Sequence, residues 1–586
     1  MTGLRALLEE VYEHVLRALV GPKAEPRSGI VEALCELASG HNVILSAPPG
    51  YGKTMLSYCM GYLAALASGP WPPRAIHVLP LRSIIDDCYK RLFEDEKAEI
   101  AKVPPLVRGV VARQSLDEPG SPWLQKKLVF TTLDTFTMCA MRLPPAELRK
   151  VARGRSAGHG FLSRAAIIIS AVIFDEIHLF IEEGGKMTAA FSALLWWLSR
   201  SSTPVAVMSA TLPRSFEHFL RQDEHLGESV RILRYGEDFR DEAFEEQRLQ
   251  AAERLRTEGP RIGGHETIIK EASSAFESYD RVLVVLNTVK DCVKVARELE
   301  AEGLDPVVLH GKLATSHRSE RLDELRRPRW LAVCTQVIEA GVDISALCLV
   351  TDATSPCALV QRAGRVLRSH EDVGKDGRIC VVADRGALDG EAYRGIYDAG
   401  LVRASLEVLK DHYERLLWHL PQAPGRLGYE SFIEECYRRA SFSMEEDAFL
   451  RALTWDFRKL LFCMVKMGKV VEQLRGLHGS FVRDEPLIAG FINWPDLGVG
   501  DVVKFGELGD WRVPLSFTDL KYISGGQAIL ALSPGERYEE LVVREVRIRS
   551  RVDLVEKLLK GDLLGVLVPR SLYDEKYGLV TRGEGA

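Results

Sequence analysis

The sequence contains a motif whose residue types and spacing suit the binding of a nucleoside triphosphate. SAPPGYGKT covers residues 46–54 and directly follows the apolar run Val43-Ile44-Leu45. Its glycines let backbone N–H groups surround phosphates, while a lysine supplies a cation and a threonine hydroxyl a ligand for Mg²⁺. A turn without a nucleotide is the alternative for this motif alone. The residues assigned to the loop are Ala47, Pro48, Gly50, Gly52, Lys53 and Thr54.

A second motif, VIFDEIH at 172–178, supplies the acidic groups that hydrolysis needs. Asp175 follows an apolar strand, where its carboxylate can hold Mg²⁺ together with Thr54, and Glu176 can orient or deprotonate the attacking water. His178 can form a hydrogen bond across the cleft and report on the nucleotide. An acidic pair at a strand end is often only a surface feature, but this pair follows a phosphate loop. The two motifs together predict ATP and Mg²⁺ as cofactors.

The elements that position these motifs form two series of short apolar strands separated by helical stretches. The first series is NVILS, AIHVLP, KLVFTT, AVIFD and VAVMSAT, and the second is RVLVVLN, DPVVLHG, LAVCT, LCLVTD and ICVVAD. Continuous apolar strands that alternate with helices indicate parallel sheets buried on both faces. We therefore predict an α/β fold with two lobes in tandem.

The character of the chain changes after about residue 400, first to helical periodicity and then to short strands with Gly, Pro and Asp turns. This favours an α+β accessory domain at the C-terminal end. The predicted division is an N-terminal helix at 1–24, a first lobe at 25–215, a connecting segment at 216–275, a second lobe at 276–400, a helical linker region at 401–478 and the accessory domain at 479–586.

Composition excludes few function classes. The net charge of -6 over 586 residues selects no partner, since an acidic protein can still bind nucleic acid through one basic channel. The eleven cysteines form no CxxC pair, which favours a reducing cytosol and a cytoplasmic protein. The longest apolar stretch, 165–174, is about half of what a membrane span needs, so we expect no membrane partner.

The motifs occur in the order found in superfamily 2 helicases: SAPPGYGKT, DEIH, SAT at 209–211, CTQVIEAGVDIS and QRAGRVLR. LPLRSIIDD, FTTLDTF and VLNTVKD make the chain resemble, more closely, the CRISPR-associated helicase of type I interference systems, the helicase half of its helicase–nuclease. The likeness covers about residues 25–390 and continues more faintly to LYDEKYGLV near the C-terminus.

The resemblance implies two RecA-like lobes with an ATP cleft between them, and an enzyme that is a nucleic-acid-stimulated ATPase and DNA helicase. Arginine fingers of the second lobe would neutralise charge that develops on the γ-phosphate. Ser209 and Thr211 would couple the nucleotide state to the nucleic-acid groove. The second-lobe residues assigned to the cleft are Gln361, Arg365, Arg368, Gly341 and Asp343.

The family also implies contacts with a single DNA strand, recruitment to a guide-RNA surveillance complex and movement from 3′ to 5′. Hydroxyls, amides and backbone N–H groups can hold phosphates without reading bases. The alternatives are an archaeal-type DNA-repair or RNA helicase of the same superfamily and, from another class, a catalytically inactive clamp. The residues assigned to nucleic acid are Arg82, Thr131, Thr132, Asn287, Thr288, His310, Thr335 and Gln336.

Two basic segments, 141–164 and 543–551, allow two interpretations each. A run of like charges is commonly a solvated surface. The rival interpretation is a surface that guides the strand by its phosphates. In the first segment the charges that would do so are Arg149, Lys150, Arg153 and Arg155.

Two features common among the relatives are not found. No glutamine precedes Gln114, so the residue that reads adenine is missing and the region reads EPRSGIVEAL. Only 46 residues precede Ala47, with His14 and His41 as their histidines, and the chain has no His-Asp dipeptide. We therefore expect a protein that unwinds without cutting and that depends on a separate HD nuclease subunit.

Overall fold

The first lobe is built on an eight-stranded sheet with the strand order β4-β3-β5-β2-β6-β7-β1-β8, parallel except for the β3–β4 pair. In the computed structural model the described residues are 2–66, 69–93, 102–115, 118–182, 185–339, 341–372, 374–390, 392–422, 425–441, 448–462, 465–484, 486, 488–494, 496–535 and 540–579. The strands are β1 (Val43–Ser46), β2 (Arg74–Leu79), β3 (Val111–Ser115), β4 (Glu118–Pro119), β5 (Leu128–Thr132), β6 (Ser170–Phe174), β7 (Val205–Ser209) and β8 (Arg231–Arg234).

The central strands of this sheet are buried along their whole length because helices cover both faces. Strands β6, β7 and β1 are neighbours, so their carboxyl ends bring three of the predicted motifs to one edge of the sheet. The helices are α1 (Thr2–Leu19), α2 (Ser28–Ala38), α3 (Met55–Ala65), α4 (Arg82–Lys90), α5 (Leu133–Ala140), α6 (Pro145–Ala152), α7 (Gly160–Ile168), α8 (His178–Glu182), α9 (Gly185–Arg200) and α10 (Arg214–Arg221).

The segment 216–275, expected as a connection, contributes strands to both sheets. Strand β8 pairs with β1 of the first lobe, while β9 (Leu255–Thr257) and β10 (Arg261–Ile262) pair with a strand of the second. Helix α11 (Glu242–Glu253) lies between them along the chain, and α12 (His265–Ser278) begins the second lobe.

The second lobe is a seven-stranded parallel sheet with the order β10-β15-β14-β11-β13-β12 and β9 also paired to β15. Two parallel α/β sheets in tandem confirm the predicted fold class. The strands are β11 (Arg281–Val285), β12 (Val307–Leu309), β13 (Trp330–Cys334), β14 (Cys348–Asp352) and β15 (Gly377–Ala383), and the helices are α13 (Val289–Ala301), α14 (Thr315–Glu324) and α15 (Pro356–Ala363).

A helical region follows, in which α18 packs on α9 of the first lobe and α17 on α15 of the second. Among the described residues no helix has the length and apolarity needed to cross a membrane. The elements are β16 (Ala392–Tyr393), β17 (Tyr397–Asp398), α16 (Ala399–His412), β18 (Leu416–Leu417), β19 (Leu427–Gly428), α17 (Tyr429–Arg439), α18 (Ala448–Leu461) and α19 (Met467–Gly476).

The C-terminal part is an α+β unit with a six-stranded mixed sheet of order β21-β24-β23-β25-β20-β22. A closing hairpin, β26 with β27, docks on the second lobe: the Tyr573 hydroxyl accepts a hydrogen bond from the Ala314 N–H at 2.9 Å. The elements are β20 (Ile488–Ile492), β21 (Val502–Lys504), β22 (Arg512–Leu515), α20 (Phe517–Ser524), β23 (Ile529–Pro534), β24 (Glu540–Val546), α21 (Arg551–Lys560), β25 (Gly565–Val568), β26 (Tyr573–Asp574) and β27 (Gly578–Leu579).

A fully buried arginine holds the second lobe together near its sheet edge. Arg362 on α15 is 0% exposed. Its guanidinium donates to the Glu339 carboxylate at 2.7 Å and to the Asn287 side-chain oxygen at 2.8 Å, and two further bonds reach the Thr351 hydroxyl and the Asp352 carbonyl. Because these partners lie on β14 and on the segments after β11 and β13, loss of the guanidinium removes buried hydrogen bonds that connect three parts of the lobe.

We predict that Arg362→Met lowers the unfolding free energy of the second lobe by about 3–5 kcal/mol, because it removes the cation that is paired with the buried Glu339 carboxylate. Native-state hydrogen exchange of the β14 amides measures this locally. The matched control is Arg326→Ala, whose ion pair with Asp323 is exposed and should contribute less than about 1 kcal/mol. Equal protection of β14 in both variants would contradict the prediction.

Candidate nucleotide site and strand channel

The phosphate loop leaves β1 and turns sharply before α3. Gly50 and Gly52 have φ values of +78° and +95°, which L side chains rarely adopt, so glycine is required at both positions. Lys53 is buried and its ammonium donates to the Ala47 carbonyl at 3.1 Å. Helix α3 begins directly after Thr54, so its first N–H groups face the loop.

Asp175 lies at the end of β6, buried and next to a histidine. Its Oδ2 is 3.5 Å from the His77 Nε2, at the long end of a hydrogen bond, and its Oδ1 accepts the Glu176 N–H at 2.9 Å. Burial alone would raise the pKa of Asp175, but the His77 ring and the Lys53 ammonium outweigh it and hold that pKa below its ordinary value. The carboxylate is therefore ionised and suited to a divalent cation.

Glu176 has the opposite character. Burial first, and the adjacent Asp175 carboxylate second, raise the pKa of Glu176 above its ordinary value. Its backbone φ is +52°, an uncommon conformation for a non-glycine residue. Two adjacent carboxylates thus differ in basicity, and the more basic one suits the acceptance of a proton from water.

His178 connects this motif to the end of β7. Its Nδ1 lies 3.3 Å from the Ser209 hydroxyl and 3.5 Å from the Glu176 carboxylate. The Ser209 hydroxyl in turn donates to the Thr211 carbonyl and accepts the Thr211 N–H, both at 3.1 Å. A displacement of Glu176 can therefore reach the loop after β7 through hydrogen bonds.

Residues of the second lobe close the cleft. The Gln361 amide donates to the Glu176 carboxylate at 3.5 Å, which joins the two lobes at the acidic pair. A Cβ placed on Gly364 would lie 3.2 Å from Pro49 of the phosphate loop. A Cβ on Gly341, whose φ is +78°, would lie 2.8 Å from Ile84 on α4.

The two candidate fingers differ in their surroundings. Arg365 is buried and donates to the carbonyls of Glu339 and Val342, so it holds the loop that contains Gly341. Arg368 lies beside the phosphate loop, with its Nε 3.9 Å from the point where a Cβ on Gly50 would be. It also forms an ion pair with the exposed Asp343 at 3.3 Å. Arg368 is thus the finger whose guanidinium lies nearer to the phosphate loop.

The region without the expected glutamine is filled by aromatic rings. A Cβ on Gly29 would lie 2.3 Å from the Phe239 ring, so no side chain can extend from this position. The Gly29 N–H instead donates to the Tyr51 hydroxyl at 3.1 Å, and that hydroxyl donates to Asp241. The phosphate loop is therefore held by the segment that follows β8.

Two residues of the cleft were missed by sequence reasoning. His77 stands alone in an apolar strand, a pattern typical of a core histidine. Arg248 lies in the charged stretch EAFEEQRLQAAE, which is typical of a solvated helix. Neither position carries a local signal, because each reaches the site only through the packing of separate elements.

A cavity of about 200 Å³ lies where both lobes meet the C-terminal part. Arg82 and Thr132 line it from the first lobe, Gly311 and Arg318 from the second, and β20 and the loop before it from the third side. The Arg318 side chain donates to the carbonyls of Gly311 and Leu313 at 3.5 Å. Most of the lining is apolar, and its polar groups are three arginines, a few hydroxyls and the Asp134 carboxylate.

The structure does not bring all eight candidate nucleic-acid residues to this cavity. Asn287 is 1% exposed and bound to Arg362, Asp352 and the Ala353 carbonyl, so it is a core residue. His310 is 0% exposed under the closing hairpin. Burial lowers the pKa of His310 to about 4, so the ring is neutral at pH 7 and does not attract phosphate.

The other candidates are partly committed to local structure. The Thr131 hydroxyl is buried and donates to the Gln114 carbonyl, and Thr335 is buried at the end of β13. Thr132 and Thr288 accept hydrogen bonds at the first turns of α5 and α13. The Gln336 amide donates to the Asn287 carbonyl at 2.7 Å. Contacts of these residues with nucleic acid stay predictions.

The basic segment 141–164 packs on the C-terminal part. Arg153 forms an ion pair with Asp562 at 2.9 Å, and a Cβ on Gly561 would lie 2.4 Å from the Arg149 side chain. Lys150 pairs with the buried Glu147. The segment therefore has a structural role between domains, whichever of the two interpretations holds for its exposed charges.

Comparison with known families supports the motif order. Residues 30–219 match the family described as DEAD/DEAH box helicase. Residues 278–371 match the family described as CRISPR-associated nuclease/helicase Cas3, C-terminal. The two matches fall on the first and the second lobe.

Individual relatives agree with this. The chain is 24% identical over 494 residues to the CRISPR-associated nuclease/helicase Cas3 of Methanothermobacter thermautotrophicus, covering 73% of this chain and 56% of that protein. It thus spans about half the length of this curated relative. The crystal structure of T. fusca Cas3-AMPPNP has a TM-score of 0.61 at 16% identity, covering 97% of this chain and 71% of that one. A chain of a CRISPR RNA-guided surveillance complex, pre-nicking, has a TM-score of 0.57 at 16% identity, covering 95% and 70%. These structural likenesses show the fold.

We predict that Lys53→Ala abolishes ATP turnover and leaves the fold intact, because the ammonium contacts the loop rather than the apolar core. Turnover of the purified variant, with circular dichroism as the check on folding, measures this. Unchanged ATP hydrolysis by the folded Lys53→Ala variant would contradict the assignment of the phosphate loop.

We predict that Arg368→Ala keeps ATP binding but loses turnover by about a hundredfold or more, since a finger acts mainly on the transition state. Equilibrium binding and single-turnover hydrolysis separate the two effects. Arg326→Ala, which removes an exposed ion pair with Asp323, is the control. A variant that lost binding but kept its turnover at saturating ATP would rule out the two-lobe cleft.

Proposed function

Since the chain is a Cas3-like helicase of superfamily 2 in both of its lobes, we propose that it is an ATP-driven motor that moves along single-stranded DNA. The observation that supports the proposal is the contact of Gln361 with Glu176, which joins the two lobes at the acidic pair. A site divided between two lobes can be assembled and released as they close and open.

The side chains support a direct attack of water on the γ-phosphate. Glu176 accepts the proton of the attacking water while the oxygen–phosphorus bond forms and the bond to the β-phosphate oxygen breaks. Gln361 orients the Glu176 carboxylate, and Lys53 and Arg368 neutralise the charge that develops on the phosphate oxygens. The donor set of Asp175 and Thr54 fits Mg²⁺, which when bound would shield the phosphate charge.

The cavity at the junction of three domains supports the passage of a strand. Cations and hydroxyls there can hold phosphates of any sequence, which suits a motor that steps along nucleic acid. His178 and Ser209 provide the path from the reacting carboxylate to the first lobe's nucleic-acid side. Lobe closure on ATP would thus shift the strand relative to one lobe.

We extend the proposal to a role in type I CRISPR interference, with recruitment to a guide-RNA surveillance complex and cleavage by a separate HD nuclease subunit. The likeness to a chain of such a complex supports the recruitment. The separate nuclease subunit is proposed because this chain contains no His-Asp dipeptide. Among the described residues one cluster has metal-ligand types, Glu258, Glu271 and Cys380, and its carboxylates are bound to arginines.

Two alternative functions, a different helicase of the same superfamily and an inactive clamp, can be distinguished from this proposal by experiment. A DNA-repair or RNA helicase of the same superfamily would share the cleft but differ in its substrate. An inactive clamp would lack a catalytic group, whereas Lys53, Glu176 and Arg368 are all in place around the cleft. The motor is therefore the better supported function.

An unwinding assay on forked DNA and forked RNA, with tails of either polarity, tests the proposal. We expect ATP-dependent opening of DNA forks and no cutting of single-stranded DNA with Mg²⁺, Mn²⁺ or Ni²⁺. Opening of RNA forks alone favours the RNA helicase. Cutting that persists in Lys53→Ala through further purification shows a nuclease site within this protein.

We predict that Arg82→Ala and Arg318→Ala each weaken binding of single-stranded DNA, because both side chains line the cavity. Each lost phosphate contact should reduce the slope of log affinity against log salt by about 0.7. Binding titrations at several salt concentrations measure this, with Arg326→Ala as the control. Slopes equal to that of the unaltered protein would place the strand elsewhere.

A further inference from the structure

Arg248 on α11 is a cation in the cleft without an acidic partner. The side chain is 5% exposed, and its Nη1 donates to the Arg368 carbonyl at 3.2 Å. Its Nε is buried and has no hydrogen-bond partner. In the described part of the chain no carboxylate forms an ion pair with it. A buried guanidinium in this state is costly unless an anion joins it.

Other cations lie near Arg248, and their charge increases the stabilisation that a bound anion would give. Burial, with Arg368 and Arg27 close by, lowers the pKa of Arg248 to about 10, so the group remains charged at pH 7. Burial, and then the charge of Arg248, lower the pKa of the nearby His419 to about 3, so this ring is neutral at pH 7 and does not balance the charge of Arg248. Three arginines therefore converge here, and although Arg368 is paired with Asp343, no carboxylate of the described residues forms an ion pair with Arg248.

The Arg248 side chain is aimed at the phosphate loop. Its Nη2 lies 2.8 Å from the point where a Cβ on Gly50 would be, and the Arg368 Nε lies 3.9 Å from the same point. Two guanidiniums thus approach one glycine of the loop whose backbone N–H groups can surround phosphates. An anion bound by that loop would lie within reach of both.

The orientation of Arg248 is fixed by aromatic packing. Its guanidinium carbon lies 5.1 Å from the centre of the Phe244 ring, and that of Arg27 lies 4.9 Å from it. The Phe244 ring packs edge-on against Tyr51 of the phosphate loop at 5.4 Å. Helix α11 is therefore attached to the loop, and a guanidinium stacked on a ring keeps its donors in one plane.

We propose that Arg248 binds the phosphate chain of the nucleoside triphosphate, as a second guanidinium beside Arg368. This inference rests on the proposed function and deepens it. Arg248 differs from the fingers in its position on the chain, because α11 lies between β8 of the first sheet and β9 of the second. The phosphates would thereby hold the connection between the lobes as well as the lobes themselves.

The test compares Arg248→Met, which keeps most of the stem against Phe244, with Arg248→Lys, which keeps the charge but loses the fork. The control is Arg254→Met at the end of the same helix, where Arg254 pairs with the exposed Asp376. The measurements on the full chain are the Kd for ATP, the inhibition constant of tripolyphosphate in ATP turnover, and the Kd for adenosine.

We expect Arg248→Met to weaken ATP and tripolyphosphate about tenfold to a hundredfold each, with adenosine unchanged, since charged hydrogen bonds contribute about 1.5–3 kcal/mol. Arg248→Lys should fall between, and Arg254→Met should match the unaltered protein. Thermal unfolding checks that each variant is folded, and Arg248→Gln replaces Arg248→Met if the latter is not.

Unchanged affinity for tripolyphosphate in Arg248→Met overturns the inference, and an effect on ATP alone would place the contact on the nucleoside. A loss for adenosine as large as for tripolyphosphate also overturns it, because a displaced loop would weaken every ligand alike. If Lys53→Ala loses ATP while Arg248→Met keeps it, this inference fails and the proposed function stands. If the unaltered protein binds no ATP, both fail.

Discussion

Two neighbouring, largely buried carboxylates are the constraint on which the rest of the structure depends. Asp175 and Glu176 lie at the end of one buried strand, where burial strengthens the repulsion between like charges. The repulsion between the two carboxylates is partly offset by His77, Lys53 and His178, which lie around the pair. The result is one carboxylate that stays ionised and one that is more basic.

Those compensating groups come from elements that are far apart in sequence, so the site exists only when the elements are assembled. Strands β1, β6 and β7 are adjacent in the first sheet and end at one edge. Gln361 arrives from the second lobe and contacts Glu176 directly. A cleft that needs both lobes to be complete links its chemistry to lobe movement, which is what a motor requires.

The connection between the lobes is part of this arrangement. It adds one strand to the first sheet and two to the second, and its Asp241 accepts a hydrogen bond from Tyr51 of the phosphate loop. Farther along, the C-terminal part fixes the other side of the molecule through the closing hairpin and through the contacts of α6 with α21. The cavity described above lies where both lobes meet the C-terminal part, and residues of all three parts line it.

The sequence by itself determined the fold class and the acidic and phosphate-binding motifs. Their signals are local: an apolar strand followed by Gly50, Gly52 and Lys53, or by Asp175 and Glu176, has the same meaning wherever the chain goes next. Family order then added Gln361 from the second lobe.

Only the tertiary structure decided which polar residues are accessible to a phosphate and which are buried. Asn287 and His310 have types that suit phosphate contacts, but strand packing buries both, and burial leaves the His310 ring neutral. Arg248 shows the reverse case. Its charged stretch of sequence is typical of a solvated helix, but α11 places the side chain in the cleft beside Gly50. Burial and charge compensation depend on contacts between elements far apart in the chain, and local residue patterns do not encode them.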